Sequence, residues 1–591
     1  MDKLVETATP TSAQNDQRSH PAAAIILLIL VPLVIFTPSV LRDHFVNWDD
    51  EGQLYQNPDF NPPTFQSVMK YWYTPHMNLY MPISYSLWGI VSEFAGTKPD
   101  SSGIALDPVW FHGLNLLLHI GATLAIFAIL RRFVGTIWPA CGGAMLFAIH
   151  PIQTEAVCWA SGMYTILSGL FIFLAIYQFI RYAQSRGKQA AIHYLIATAL
   201  FIVAVLSKPS AVVALPMAGI IDVLLIRRRW RTAILSLLPW LIGTVPIIAI
   251  LHRAQPAAIV PNEPPHLRAL VCLDSTGFYL AKLLYPLNFA ADYGRNPHWL
   301  RSHPMASWMA ILPIALLALS VMAKRKFPSL LAGFGLLVTG TLPFLGLVKF
   351  DFQHFSTVAD RYAYPGMLGL ALVAAAALSR WRSTPFRFIA VAILAGLALL
   401  TYCQASVWHD TRSLFTHNLQ VNPHSLQAHS NLGFLDMSGG NSDEAIEHYR
   451  QALATDPNDP DANTDLANAL RGRGDLSEAI DHYHRALQIT PDDPRIENNL
   501  GIALAQSHQY EQAVREFQAA LDHDGSNPQA GKDVRADAHT NLAIILEQAG
   551  RPDQAAEQYR SALAIDPHFQ LARMGLNKLT QTQNPQPPPV R

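Results

Sequence analysis

The sequence predicts an all-α protein in two parts, a polytopic bundle of transmembrane helices followed by a solenoid of paired helical repeats. Three observations predict it. Half of the 591 residues are hydrophobic and only 14% are charged, well under the roughly 25% of an average soluble domain. The apolar residues concentrate between 22 and 403, in runs that reach the length of about 20 residues needed to cross a bilayer. Beyond 425 the composition becomes ordinary and a 34-residue period takes over.

Taken in order, residues 1–21 are polar, without periodicity, and are expected to form a disordered cytoplasmic N-terminus. The run Ala22–Leu41 is too long for a signal-peptide core and no small-residue cleavage site follows it, so it reads as the first span. Further apolar runs start near 109, 136, 158, 191, 210, 232, 306, 328, 362 and 386, which makes about eleven spans by the length rule. Segments 80–95 and 269–287 are apolar but interrupted, and are expected to lie re-entrant or interfacial. Basic clusters fix the orientation: Arg131-Arg132, Arg181 with Arg186 and Lys188, Arg227 to Arg229 with Arg231, Lys324 to Lys326, and Arg380 with Arg382 and Arg387. Positive residues remain in the cytoplasm. Loop 42–80, the His150 corner, the turn at Lys208, loops 252–305 and 348–361, and the repeats then all open on the opposite face.

Residues 404–425 read as a connecting segment, and 426–580 as four repeats. Leu432, Leu466 and Leu500 recur at 34 residues, as do Ala445, Ala479 and Ala513, and Ala452, Ala486 and Ala520. A fourth copy at Leu542, Ala555 and Ala562 follows an insertion around 525–535. Each copy carries an aromatic residue, Tyr449, Tyr483, Phe517 or Tyr559. Small residues where two helices touch and large ones between them are the tetratricopeptide pattern. Stacked pairs form a superhelix with a concave groove, suited to an extended polypeptide or to assembly of a complex. The tail 581–591 is proline-rich and expected to be disordered.

Net charge is -1, with no basic surplus to suggest a nucleic-acid partner. The four cysteines sit in or beside apolar runs without metal-ligand spacing and read as small buried hydrophobes.

Chemistry is sought among polar residues at span ends. Asn47-Trp48-Asp49-Asp50-Glu51 follows the first span directly. Adjacent carboxylates repel, which raises the pKa of one of them toward a general base's range; three could also hold a divalent cation. His112, Asn115 and His119 share one face of an apolar helix, and polar groups on one face of a span tend to line a cavity. His150 and Glu155 lie in a proline-broken hairpin, placed to orient a substrate or to bond each other. Lys208, Arg253, Arg295 and Arg361 stand near outer span ends with Asp292 and Asp360. Lone cations there snorkel, but the planar fork of Arg361 suits phosphate oxygens.

These residues, read in order, resemble the transmembrane and tetratricopeptide-repeat-containing O-mannosyltransferases and their bacterial relatives. The resemblance runs through Asn47-Trp48-Asp49-Asp50, Tyr80-Met81-Pro82-Ile83-Ser84, His112, Asn115 and His119, and His150 to Val157 with Trp159. It continues through Leu206-Ser207-Lys208, Tyr285 to Asn288 with Ala291-Asp292-Tyr293, Asp360 to Tyr364, Trp408 and Leu414-Phe415. Pro209 stands where the family often has an acid after the lysine, and Asp360 where glutamate is usual. The resemblance implies the multispanning glycosyltransferase fold of type C, and a polyprenyl- or dolichyl-phosphate sugar as membrane-borne donor. It also implies an inverting transfer, with mannose the expected sugar, to serine or threonine of an acceptor polypeptide held by the repeat groove. Asp49 or Asp50 inherits the base's role by position. Arg361, with Lys208, Arg253 and Arg295, would bind the donor phosphate, and His112, Asn115, His119, His150, Glu155, Asp292 and Asp360 would line the cavity. No cofactor or resident metal is assigned. The expected location is the inner membrane with periplasmic repeats in a bacterium, or the endoplasmic reticulum membrane with lumenal repeats in a eukaryote. A lipid-linked-sugar flippase is the main rival, but such transporters carry repeats among their spans and none is evident here. A non-catalytic repeat scaffold is the other.

Overall fold

The computed structural model describes residues 21–99, 104–254, 263–303, 308–381, 383–523 and 528–583. The expectations of disorder at 1–20 and 584–591, part of the insertion, parts of loop 252–305, and Arg382 lie outside the described residues. The described residues are helical, with isolated β-bridges and no named strand. They divide into two compact units, Met1–Pro423 and His424–Arg591.

Among the described residues, seven helices of the first unit are long and apolar enough to cross a membrane: Pro21–Arg42, Pro108–Val134, Ala160–Gln184, Gly187–Ser207, Pro209–Ile226, Trp230–Ile250 and Thr384–Trp408. Four shorter apolar helices, Ile137–Ala148, Trp308–Ala323, Pro328–Phe344 and Met367–Arg380, occupy the other segments expected to span. The chain is a multi-pass membrane protein. The two interrupted segments are also helical. Pro82–Ala95 has 14 residues, short of a full span, and Pro265–Leu284 carries Arg268, Asp274 and Lys282.

Local chemistry sets the helix ends. Pro108 starts its helix with the Asp107 side chain accepting from the Val109 N–H, as a proline at the first position and an aspartate cap should. The same helix ends with Arg131 and Arg132 in its last turn and Gly135 at φ 70°, a left-handed stop that favours glycine. Where the Pro328 and Met367 helices cross, the backbones touch. A Cβ on Gly369 would lie 2.1 Å from the Gly333 carbonyl oxygen, and one on Gly340 would lie 2.4 Å from the Gly366 backbone. Membrane helices use such small residues to pack closely, and this seam ends at the short turn Asp360–Ala363 that bears Arg361.

Residues 404–425 are not a loose connection. They form the short turn Ser406–Trp408 and a helix, Thr411–Val421, capped by the Asp410 side chain, and up to Pro423 they belong to the membrane unit. In the second unit Ala445, Ala479, Ala513 and Ala555 are fully buried, as are Tyr449, Tyr483, Phe517 and Tyr559 to within 2%. Each pair closes on a small residue: a Cβ on Gly433 would sit 2.8 Å from the Tyr449 ring, and one on Gly501 2.6 Å from Phe517. A final helix, Gln570–Gln583, covers the last pair, with Gly575 facing Tyr559.

Candidate active site

The ends of several spans bring four charged side chains from distant parts of the sequence into one cluster. Glu155 and Arg361 form its centre. The Arg361 backbone N–H donates to Glu155 Oε2 at 2.8 Å, and its Nη1 donates to Oε1. Both are buried, at 1% and 6% exposure. The guanidinium lies against Phe352, Tyr362 and Trp159, its carbon 4.6, 4.8 and 5.4 Å from the ring centroids. A cation over ring faces is stabilised by their quadrupoles, so three rings and one carboxylate hold this side chain.

Lys208 follows the Gly187–Ser207 helix. Its Nζ donates to Thr165 Oγ1 at 2.8 Å and sits 4.7 Å from the Tyr164 ring, 5.5 Å from Phe344 and 6.0 Å from Tyr362. Burial lowers its pKa to about 7, with Arg361 adding to the shift and Glu155 opposing it. Tyr362 thus touches both cations.

The two candidate bases separate sharply. Asp50 is fully buried and committed to the fold. Its Oδ1 accepts from the Ser161 N–H at 2.9 Å and the Ser161 hydroxyl at 2.5 Å, and its Oδ2 accepts from the Val46 N–H at 3.1 Å. Burial nevertheless pushes its carboxyl up to about 7. Asp49 is only partly buried, and its carboxylate accepts no hydrogen bond from any described residue. Enclosure raises its pKa; Arg361 opposes that shift and Glu155 adds to it. Asp49, Glu155, Lys208 and Arg361 therefore share one electrostatic cluster, with two charges of each sign. Asp50 anchors the loop beside it.

The other expected positions have different surroundings. Asn115 Nδ2 donates to the Trp159 carbonyl at 2.7 Å, and His119 is held between the Tyr364 hydroxyl and the Ala148 carbonyl, both at 2.9 Å. His112 lies beside the backbone of His44 and Cys158. Asn115 and His119 fasten the 148–160 hairpin through its carbonyls, as polar groups in a buried helix interior usually do, whereas both ring nitrogens of His112 are buried without a hydrogen-bond partner among the described residues. His150 and Glu155 do not bond each other: His150 Nδ1 accepts from the Ile152 N–H at 3.2 Å, and its Nε2 faces the Leu283 carbonyl. Of the expected phosphate ligands, Arg295 is paired with Asp274 at 2.6 Å and stacked on Trp299, while Arg253 is exposed at a helix end. Neither is in contact with the Arg361 cluster. Asp292 accepts from the Gly294 N–H at 2.8 Å and shapes its own loop. Asp360 accepts from the Tyr293 hydroxyl at 2.8 Å and lies in the field of Lys282.

Sequence reasoning passed over Ser161, Tyr164, Thr165, Phe352 and Lys282. Lys282, a lysine in an apolar helix, was a visible signal. The others carry no mark of their own until the chain folds.

Tetratricopeptide-repeat families match residues 436–496 and 492–568. A protein O-mannosyl-transferase of Caenorhabditis elegans is 23% identical over 475 residues, covering 76% of this chain and 65% of that protein. The protein O-mannosyl-transferase TMTC4 of Mus musculus is 26% identical over 420 residues, covering 58% and 54%. The chain therefore spans between 54% and 65% of the length of these two relatives. Among solved structures, MamA matches 27% of this chain and 87% of its own, at 18% identity and a TM-score of 0.24. In its membrane body and its repeats the chain is thus similar to these protein O-mannosyl-transferases.

Proposed function

We propose that the membrane unit transfers a sugar, mannose by similarity to its relatives, from a polyprenyl-phosphate donor to serine or threonine of proteins on the non-cytoplasmic face, with the repeats recruiting the acceptor. The observation that carries this reading is a carboxylate left without hydrogen bonds, Asp49, in the field of a buried arginine already neutralised by Glu155. A group spared from structural bonding and raised in pKa is suited to take a proton.

In the reaction, Asp49 accepts the hydroxyl proton of the acceptor as its oxygen forms a bond to the sugar C1. The bond from C1 to the phosphate oxygen breaks from the opposite side, inverting the configuration. The leaving phosphate takes that electron pair, and its growing charge is met by Arg361 and Lys208. Fixed donors aimed at developing charge, in a site closed to water, are the strongest electrostatic aid available. No step calls for a metal ion, and the membrane supplies the isoprenoid chain from the side. The helix Thr411–Val421, which leads into the repeats, is bonded to the Asp49 loop, and this supports placing repeats and site in one compartment.

The experiment is to incubate the purified protein with labelled polyprenyl-phosphate mannose and acceptor proteins. Transfer to serine or threonine is expected. Asp49→Asn should lower the rate by about 10²–10⁴-fold, the range of a general base, without loss of folded protein. Asp50→Ala, which strands the Ser161 N–H, the Ser161 hydroxyl and the Val46 N–H together, should lose folded protein as well. Full activity in Asp49→Asn would remove that residue as base.

A further inference from the structure

The helix Thr411–Val421 does more than join two units. On one side it grips the loop that carries Asp49. The Asn47 N–H donates to Thr411 Oγ1 at 2.8 Å, the His44 N–H donates to the His409 carbonyl at 2.9 Å, and the Phe415 ring stacks on Trp48, 5.6 Å between centroids and 12° between planes. Asp49 is therefore bracketed, with Trp48 fastened to this helix and Asp50 fastened to Ser161. On its other side the same helix grips the 289–293 loop. His417 Nε2 pairs with the Phe289 carbonyl at 2.9 Å, and the Asp292 N–H donates to Asn418 Oδ1 at 2.9 Å. From there Tyr293 reaches Asp360 at 2.8 Å, the neighbour of Arg361.

We propose that this helix sets the spacing between the base and the phosphate-binding arginine, with Thr411 and Phe415 positioning Asp49, and Asn418 positioning Arg361 through Tyr293 and Asp360. The proposal rests on the transferase reading. It adds that the helix preceding the repeats is part of the site's frame. Both faces of one short helix are used, and the contacts of its own residues Thr411, Phe415, His417 and Asn418 are side chain to backbone or ring to ring, which fixes position instead of merely filling space.

The two faces predict different kinetic effects. Thr411→Val keeps the shape and removes the acceptor. It should lower kcat on the order of 10²-fold, the effect of a displacement of about 1 Å, and change KM for labelled polyprenyl-phosphate mannose by no more than about twofold. Thr411→Ser, which keeps the hydroxyl, should restore the rate. Asn418→Leu should instead raise the donor KM. Hydrogen exchange on the full-length protein supplies a readout independent of turnover: Thr411→Val should speed exchange at Asn47 and spare Asp292, and Asn418→Leu the reverse. Variants that alter kcat and KM alike, or that exchange equally at both amides, would overturn the proposal. If the wild-type chain transfers no sugar, the transferase reading fails, and the exchange arm alone still decides whether the helix governs the two loops.

Discussion

Removing Glu155 tests how the centre of the site is held. The carboxylate neutralises the guanidinium of Arg361, a residue 6% exposed, and accepts one hydrogen bond from it and one from the Arg361 backbone N–H. Glu155→Ala leaves that cation with ring faces and the more open Asp49, so the cost is that of an uncompensated buried charge, about 3–5 kcal/mol. Spread over a unit of this size, with about 2 cal/mol/K of unfolding entropy per residue, this lowers the melting temperature by about 4–6 °C. The double variant Glu155→Ala with Arg361→Met removes both charges and should recover most of the loss, because an apolar side chain suits the ring pocket. Thermal unfolding in detergent, followed by size-exclusion fluorescence, reads all three proteins and the Arg361→Met single variant needed to complete the cycle. A double variant no more stable than Glu155→Ala would refute the argument, since the penalty would then come from lost packing and not from stranded charge.

The pH dependence follows from Lys208 and Asp49. Lys208 must be protonated to hold phosphate, and burial lowers its pKa to about 7, so the donor KM of the free enzyme should rise as pH increases through that value. In Lys208→Arg, whose side chain stays charged, the rise should vanish; a rise that persists would assign the titration elsewhere. On the acid side, kcat should fall as Asp49 takes up its proton, at a pH above that of an ordinary aspartate because enclosure raises its pKa. Sidedness is tested by single cysteines, Gln56→Cys in the first loop and Glu444→Cys in the repeats, both at exposed positions. An impermeant maleimide should label both from the non-cytoplasmic face, and labelling from opposite faces would dismantle the proposed enzyme.

Most of the architecture was legible because it rests on composition and short periods. Span length and the 34-residue repeat each depend on residues close in sequence, and the helices fall where those patterns put them. The site was legible in kind but not in detail. Arg361 and Asp49 could be picked out because charged groups at span ends need a reason. What a side chain spends its bonds on is decided by partners that no local pattern reveals: Glu155 meets Arg361 across 206 residues, and Asp50 meets Ser161 across 111. For that reason the sequence left Asp49 and Asp50 equivalent, and left open whether His150 and Glu155 orient a substrate or bond each other. Arg295 was grouped with the phosphate ligands by charge, while Asp274, which occupies it, lay unnoticed in an interrupted helix. His112, Asn115 and His119 do share a helix face, as the periodicity required, but that face meets backbone carbonyls and neighbouring side chains.

The glycine seam between the Pro328 and Met367 helices has a mechanical consequence. With main chain against main chain at Gly333, Gly340, Gly366 and Gly369, and the Val373 and Leu337 side chains packed against two of those glycines, neither helix can slide along the other without a clash, so the two are expected to travel as a single strut. Arg361 is mounted at the end of that strut. Any rearrangement that admits or releases a lipid-borne substrate must leave the strut whole and move other parts of the bundle around it.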